Sequence, residues 1–345
     1  MRWQGQLASR IVVGAPCQVS LHAGRITGHL NPEVFISSGR AALASGLQFG
    51  RAMLSCRSRD GACRFIREGQ CRWMTAGASS LRHDRTEQNF GFRRDAFKLA
   101  GGMQEQTTEV WHLGFALGYE RSWLDVGKLS STDGDHVQAS VTVKGRFGAT
   151  ALAASLSGGL GWLDSKRSVA LPTPGVTAKS SQRLGFVSPD LRLSHDFEQR
   201  SWYLRPLVDA AVTHVHLHDF SESGAGGANL DVRSQSETYV TFSPAVEIDG
   251  EWAGTRDVLL RPYFRAGLIH LASGSTPSVS ASFQGAPTGT APFTVIGRND
   301  RNPGELSLGV DVLNPDGMSL RIGYAGQFSS RTHSHAGTLK LSVPF

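Results

Sequence analysis

The sequence predicts an all-β protein, a transmembrane antiparallel β-barrel of about 12 strands with an N-terminal α-helix in the pore. Apolar and polar residues alternate with period 2 from about residue 70 onward. The alternating segments are about 10 residues long, which is the length that a tilted membrane strand needs. The chain also ends inside such a segment, since Leu339, Leu341, Val343 and Phe345 alternate with Thr338, Lys340, Ser342 and Pro344.

Composition and charge are compatible with this fold class. The 345 residues include 40% hydrophobic residues and 40 glycines, as expected when each strand has only one apolar face. No run of about 18 apolar residues is present, which excludes a membrane-spanning helix. The net charge of +6 would suit a nucleic-acid-binding protein, but Lys and Arg are scattered at alternate positions rather than clustered. We therefore expect no nucleic-acid partner.

The predicted strands share one pattern, shown most clearly by residues 135–148. There Val137, Val141 and Val143 lie on one face and polar residues lie on the other. The segments with this pattern lie near 70–78, 92–103, 109–120, 135–148, 149–162, 182–194, 202–217, 237–249, 258–270, 303–313, 317–327 and 335–345. In 182–194 the apolar period slips after Phe186, so its boundaries are the least certain.

The connections between these segments alternate in length. Long polar links are predicted at about 79–91, 121–134, 163–181, 218–236 and 271–302, with a shorter one at 328–334. Between them lie short turns such as Gly148-Ala149 and Asn314–Gly317. Outer-membrane barrels have long outer loops and short periplasmic turns, whereas a soluble sandwich gives no reason for such alternation.

Charged residues occupy the polar faces of the predicted strands. In a barrel this face lines the lumen, where opposite charges can pair; in a sandwich it meets bulk water. The predicted lumen-facing charged residues are Lys144, Arg146, Arg205, Asp209, Glu247, Arg261, Arg265, Asp311, Arg321 and Lys340. Their cations could make an empty pore mildly anion-selective, or could simply hydrate a polar lumen.

One helix is predicted before the barrel, within residues 39–56, where Leu43, Leu47 and Leu54 share a stripe. It could pack on a surface or thread the lumen.

The predicted division of the chain is 1–39 as a short remnant or linker, 40–69 as pore helix and linker, and 70–345 as barrel. The first residues have no apolar core of signal-peptide length. We expect either a missing upstream part or a remnant gene.

The cysteines Cys17, Cys56, Cys63 and Cys71 match no zinc-binding spacing, which favours one disulfide in an oxidising compartment.

His214, His216 and His218 share a strand face, and a metal site there is less favoured than an exposed strand end. No nucleophile elbow or phosphate loop is present. We therefore predict no enzyme, no catalytic residue, no cofactor and no metal.

Two stretches and the C-terminus resemble the translocator domain of monomeric autotransporters, the type V secretion proteins. The stretch "SCRSRDGACRFIREGQCRWMTAGA" resembles the junction between linker and first strand, and "HLHDFSESGAGGANLDV" resembles the stretch after a central strand. The alternating terminus that ends on Phe345 resembles the signal read by the barrel assembly machinery.

The resemblance implies a 12-stranded barrel in the outer membrane of a Gram-negative bacterium, with a helix in its pore and an exported N-terminal passenger. It implies a disulfide between Cys56 and Cys71, and an assembly signal formed by Leu339, Leu341, Val343 and Phe345. The expected partners are outer-membrane lipid, the barrel assembly machinery and the chain's own passenger, with the protein a monomer. Two other functions stay open, namely a stand-alone adhesin-like barrel whose loops bind ligands and a small-solute porin.

Overall fold

Twelve long antiparallel strands form one closed ring among the residues that the computed structural model describes, namely 33–54, 57–58, 67–86, 90–171, 173–253, 258–315 and 317–344. Each strand pairs with its neighbours in sequence. The last strand closes the ring on the first, in a ladder that runs from Thr332 opposite His83 to Val343 opposite Arg72. Closure leaves no long strand at an open sheet edge.

The barrel strands are numbered in chain order. They are β1 (Cys71–His83), β2 (Phe92–Gln106), β3 (Trp111–Val126), β4 (Ser130–Phe147), β5 (Thr150–Leu171), β6 (Thr173–His195), β7 (Trp202–Leu217), β8 (Gln235–Gly250), β9 (Leu259–Leu268), β10 (Gly304–Leu313), β11 (Ser319–Phe328) and β12 (Thr332–Val343). A short strand, His270–Ser273, follows β9 and also pairs with β8.

The burial pattern is the reverse of that in a soluble protein. Large apolar side chains face outward and are exposed, as Leu117 is to 70% and Leu156 to 56%, whereas the inward-facing Arg94 and Arg261 are exposed to only 2% and 0%. Aromatic side chains also face outward at the borders of the apolar belt. Trp111 and Trp202 begin β3 and β7, Trp252 follows β8, and the exposed Tyr119 and Trp162 lie in the middle of β3 and β5. An apolar exterior with aromatic residues at both rims suits lipid, so the predicted membrane barrel is confirmed.

The helix α1 spans Glu33–Met53, beginning seven residues before the predicted boundary at residue 40. Its early residues Val34, Phe35 and Ile36 are buried, against loop residues far along the chain. Because this partner surface is distant in sequence, local periodicity did not reveal the start of the helix. Within the described residues, no helix combines the length and the apolarity needed to cross a membrane.

Two predicted long loops are wrong. Residues 121–134 belong mostly to β3 and β4, which are joined by residues 127–129, and residues 163–181 belong mostly to β5 and β6, which are joined at residue 172. Beyond the apolar belt, outward positions carry polar residues such as Asp164 and Lys166. Both faces are therefore polar there, and the alternation of hydrophobicity disappears although the strand continues.

Two of the remaining loops fold together into a small sheet, which we call the loop cap. Its antiparallel strands are Phe220–Ser221, Leu230–Val232, Ser278–Phe283 and Phe293–Ile296. The first two come from the loop after β7 and the last two from the long segment between β9 and β10. The cap therefore lies at the end of the barrel where the long loops emerge.

Candidate functional site: the pore and its helix

The helix α1 runs through the barrel interior from one mouth to the other. Its first turn packs against the loop cap, where Phe35 meets Phe220 edge-on with ring centroids 4.8 Å apart. Its last turn packs at the opposite rim, where Met53 contacts the start of β1 at Cys71 and Trp73. Helix α1 thus runs through the lumen from the long-loop mouth to the rim at which β1 begins.

Polar side chains in the middle of α1 bond to the barrel wall. Ser45 donates a hydrogen bond to Glu120 Oε2 at 2.9 Å and accepts one from Gln138 Nε2 at 2.6 Å. Gln48 accepts a hydrogen bond from Lys98. Glu120 is itself held by ion pairs with Lys98 and Arg94. The polar side chains of α1 therefore have partners on three different strands, which fixes the helix laterally.

Arg51 links the helix to the other side of the wall. Its Nη1 lies 2.6 Å from Glu305 Oε2, and its Nη2 donates to Ser243 Oγ at 2.5 Å. Glu305 also pairs with Arg265 at 2.8 Å, and Arg265 contacts Asp209 at 3.1 Å. Arg51 therefore joins an alternating chain of cations and carboxylates, in which each charge has an opposite neighbour.

Small residues on α1 permit close approach to the wall. A Cβ placed on Gly50 would lie 2.4 Å from Asp190 Oδ2, and one on Gly46 would lie 2.9 Å from the Phe186 ring. Both wall residues belong to β6, which makes more contact with the helix than the other strands described here. Glycine at these two positions lets α1 lean on the wall at β6.

Arg40 of α1 forms hydrogen bonds with the long segment before β10 at the outer mouth. Its Nε donates to Asn299 Oδ1 and its Nη2 to the carbonyl of Arg298, both at 2.7 Å. Nearby His83, at the loop end of β1, is buried and lies 2.9 Å from Thr332 Oγ1 through Nδ1. Burial, reinforced by the Arg40 guanidinium, lowers the pKa of His83 to about 4. The imidazole is therefore neutral at physiological pH.

Asp300 completes this arrangement outside the membrane-spanning part of the barrel. Thr332 donates to Asp300 Oδ2 at 2.6 Å, and Ser329 donates to the same oxygen. Burial alone would raise the pKa of Asp300, but these hydrogen bonds and the nearby cations outweigh it and lower the pKa. A charged carboxylate thus ties the long segment before β10 to the turn between β11 and β12.

A cavity of about 340 Å³ lies between α1 and the wall, mainly along β1 to β3 and β9 to β12. Its charged lining is uneven, since six cations face three carboxylates. The cations are Arg51, Lys98, Arg192, Arg265, Arg321 and Lys340, and the carboxylates are Glu120, Glu247 and Glu305. Arg192 and Arg265 pair with Asp209 behind this lining, and Arg321 pairs with Asp311. The lumen therefore keeps polar space beside the helix.

The ten charged residues predicted to face the lumen all lie on the inward face of the wall. Most of them belong to ion pairs. Arg205 pairs with Asp196 and Glu247. Arg261 pairs with Asp249, and Arg321 pairs with Asp311. The ammonium of Lys340 lies 4.7 Å from the centroid of the Trp73 ring. Lys144 is buried, and Arg146 lies 3.5 Å from Asp196.

The other predicted site residues are only partly described. Cys71 is buried and disulfide-bonded, whereas Cys56 lies outside the described residues, so the pairing of these two cysteines stays a prediction. Leu339, Leu341 and Val343 are exposed on the outer face of β12, and Phe345 lies outside the described residues. No group of three or more His, Cys, Asp or Glu side chains in the described ranges is placed to hold a metal ion.

Sequence reasoning missed several residues that hold the helix, chiefly Arg40, Ser45 and Glu305. Glu305 shares an inward face with Ser307, Asp311 and their alternate neighbours, so strand parity could have placed it in the lumen. No local signal identifies Ser45 or Arg40 as contact residues. Their partners lie 75 residues or more away in sequence.

Comparisons with known sequences agree with this geometry. The sequence profile of the family described as Autotransporter beta-domain matches residues 72–325. The chain is also 25% identical over 257 residues to the Esterase EstA of Pseudomonas aeruginosa. That similarity covers 73% of this chain but 39% of the esterase. The chain therefore spans about two fifths of that relative's length.

Solved structures share the fold. The translocator domain of the autotransporter NalP from Neisseria meningitidis superposes with a TM-score of 0.72 at 14% identity, covering 90% of this chain and 99% of that domain. The beta domain of the Bordetella autotransporter BrkA gives 0.60 at 16% identity, covering 81% and 100%. Since the family profile covers well over half of the chain, the protein belongs to the Autotransporter beta-domain family, and its barrel is a translocator domain of the Gram-negative outer membrane.

Proposed function

We propose that this barrel exports the segment N-terminal to Glu33 and retains α1 as the plug of the emptied pore. The observation that carries the proposal is the path of the chain. Because α1 begins at the long-loop mouth and ends beside Cys71 at the opposite rim, the chain enters the helix from the long-loop side. In an outer-membrane barrel that side faces the exterior.

The inward face suits passage of an extended polypeptide. Its charges are mostly paired with one another, as Arg265 is with Glu305 and Asp209. A wall of satisfied ion pairs presents polar groups without fixing a particular sequence. The cavity beside α1 is further room that a passing chain could use. Closure of the barrel meanwhile satisfies the strand backbone within the bilayer.

We further propose that the protein functions as a monomer whose insertion depends on the barrel assembly machinery. The closed ring leaves no long strand that needs a second subunit. The machinery would read the outward side chains Leu339, Leu341 and Val343 together with the terminal Phe345. The disulfide of Cys71, which we propose to be with Cys56, would fasten the descending chain near the inner rim.

The barrel itself is assigned no catalysis in this proposal. The name esterase belongs to a relative of which this chain matches 39%. We assign that activity to the part of the relative that this chain does not match. The passenger's activity is accordingly a property of residues other than the barrel. An adhesin-like role for the loops and a porin role are the outcomes that the following experiment distinguishes.

The test places a protease-cleavable epitope immediately before Glu33 in a protein directed to the periplasm by a cleavable signal peptide. Protease added to intact cells should remove the epitope. The matched control carries the same epitope in the turn at Asn314–Gly317, where it should survive unless the cells are permeabilised. An upstream epitope that is protected in intact cells would overturn the export proposal. A large steady conductance of the full-length protein in bilayers would favour the porin instead.

A further inference from the structure

The outer surface of the barrel carries a ring of charged residues just above the apolar belt, on the long-loop side. On β1 to β4 each cation of this ring has a carboxylate partner. Arg82 pairs with Asp84 at 3.0 Å, Arg93 with Asp95 at 2.9 Å, and Arg121 with Asp135. Asp125 and Asp133 are further exposed carboxylates on this face, so this sector has no excess of cations.

The sector on β5 and β6 differs. Its cations Lys166, Lys179 and Arg183 are exposed on the outer face and form no ion pair within the described part of the chain. The strand register places Lys166 directly opposite Lys179. Directly opposed side chains have Cβ atoms about 5 Å apart, and like charges in that arrangement repel each other. The fold thus holds two ammonium groups together without an internal counterion.

Only one carboxylate lies on this face of β5 and β6 among the described residues. It belongs to Asp164, which stands opposite Ser181 and accepts a hydrogen bond from its hydroxyl at 2.7 Å. Asp164 forms no ion pair with either lysine within the described residues. The repulsion between Lys166 and Lys179 is therefore left for an external anion to relieve.

Two histidines extend this surface onto β7. The backbone N–H of His218 donates to the carbonyl of Arg183 at 3.0 Å, which sets the two residues side by side. Nδ1 of His218 lies 3.3 Å from the same carbonyl, and Nδ1 of His216 lies 2.8 Å from Ser236 Oγ. The two rings meet edge-on with centroids 4.7 Å apart. Because a carbonyl oxygen accepts, Nδ1–H of His218 is the donor in its contact with the Arg183 carbonyl, and the histidines border the cationic surface on the β7 side.

The height of these residues indicates what they meet. Trp162 stands opposite Arg183 in the ladder between β5 and β6 and is exposed, and below it Leu160 and Val187 belong to the apolar belt. Exposed Trp side chains mark the boundary between hydrocarbon and headgroups. Lys166, Lys179 and Arg183 therefore lie at the level of the lipid headgroups on the outer side of the membrane.

We propose that Lys166, Lys179 and Arg183 form a binding site for the phosphate groups of an outer-leaflet glycolipid, lipopolysaccharide. Phosphate oxygens accept hydrogen bonds from ammonium and guanidinium groups and supply the missing negative charge. Lys179 and Arg183 are four residues apart on one strand, about 13 Å, so the site can engage more than one phosphate of a single headgroup. This site is separate from the export pathway, because it lies on the opposite face of the wall.

The test uses the full-length protein in a neutral detergent and measures binding of lipopolysaccharide. The triple variant Lys166→Ser, Lys179→Ser, Arg183→Ser should bind at least about tenfold more weakly, since it removes all three cations that attract the anionic lipid. The matched control Arg82→Ser, Arg93→Ser, Arg121→Ser removes three cations of the sector on β1 to β4, each of which has a carboxylate partner. It should retain binding within about twofold, because surface charges that are already paired contribute little.

Two further arms identify the ligand and verify the fold. Dephosphorylated lipopolysaccharide should lose binding to the wild type, and inorganic phosphate at equal phosphate concentration should not compete. Heat-modifiable migration on gels should be unchanged in both triple variants, which confirms closed barrels. Equal binding by the two triple variants, equal binding of the dephosphorylated lipid, or full competition by inorganic phosphate would each overturn the proposal.

Discussion

Arg51 on the pore helix and Glu305 on β10 form an ion pair of 2.6 Å inside the barrel. Replacing Arg51 with Ala leaves Glu305 with Arg265 as its remaining cation. Breaking a buried pair by removing one partner costs about 3 kcal/mol or more. We expect the Arg51→Ala variant to unfold at a lower temperature on heat-modifiability gels. Arg82→Ala, which breaks the exposed pair with Asp84, should change stability by less than about 1 kcal/mol. Equal shifts in the two variants would contradict a special role for the interior pair.

Replacing two glycines of α1 with alanine should change the stability of the barrel in opposite directions. Gly50→Ala places a methyl group 2.4 Å from a carboxylate oxygen of Asp190 and should destabilise the plugged barrel by about 1–3 kcal/mol through overpacking. Gly39→Ala, on the same helix, meets nothing within 4 Å and should stabilise it by up to about 1 kcal/mol through helix propensity. Thermal unfolding of the two variants in the same detergent measures both. A loss of stability in Gly39→Ala would show that propensity does not govern this helix.

Acid should loosen the outer mouth through His83. Its pKa in the folded protein is about 4, whereas an unperturbed imidazole has a pKa near 6.5. Between these values the unfolded chain binds more protons than the folded one, so stability is complete above about pH 6.5 and is lost as the pH falls toward 4, by up to about 3 kcal/mol. His83→Gln should flatten the dependence of the unfolding temperature on pH over this range. The same substitution at His270, whose side chain is exposed, is the control, and an unchanged slope in His83→Gln would contradict the assignment.

Removing the helix should give a pore that prefers anions. Deletion of residues 33–54 leaves five wall cations, Lys98, Arg192, Arg265, Arg321 and Lys340, facing three carboxylates along the cavity. A polar lumen with this excess concentrates counter-ions of opposite sign. Reversal potentials in a salt gradient across planar bilayers should favour chloride over potassium. Lys98→Gln combined with Lys340→Gln should reduce that preference, and cation preference in the deleted protein would contradict it.

The C-terminal residue should control insertion. Phe345→Ser, and deletion of Phe345, should each lower the amount of heat-modifiable barrel in outer-membrane extracts several-fold, because the aromatic side chain at the end of the outward Leu339, Leu341 and Val343 series is the expected recognition element. Ser342→Ala changes an inward residue of the same strand and should insert normally. Unchanged insertion of both Phe345 variants would show that the assembly machinery reads other features.

The sequence predicted those features that depend on neighbours along one strand. Period 2 revealed the barrel because Val137, Val141 and Val143 reach the same face whatever the rest of the chain does. The same logic placed Arg321 and Asp311 inward, although it could not show that they pair with each other. It failed where strands continue beyond the apolar belt. There Asp164 and Lys166 are polar on the outer face, so a continuing strand looks like a loop.

Features that depend on distant partners were not predictable from local pattern. The start of α1 at Glu33 depends on burial of Val34, Phe35 and Ile36 beneath loops more than 180 residues away in sequence, such as that of Phe220. The cap sheet itself joins two loops that are separate in sequence. Only the closed ring brings these segments to one mouth, so their contacts follow from the fold rather than determine it.

The loop cap has one more consequence. Its apolar core is shared, since Val34, Phe35, Ile36 and Ala41 of α1 pack in one cluster with Leu230, Val232, Val279, Ala281 and Val295 of the loops. An empty barrel would therefore lack part of that core and would expose apolar loop surface to water. The loop cap therefore has its complete apolar core only when the first turns of α1 are in place at the outer mouth.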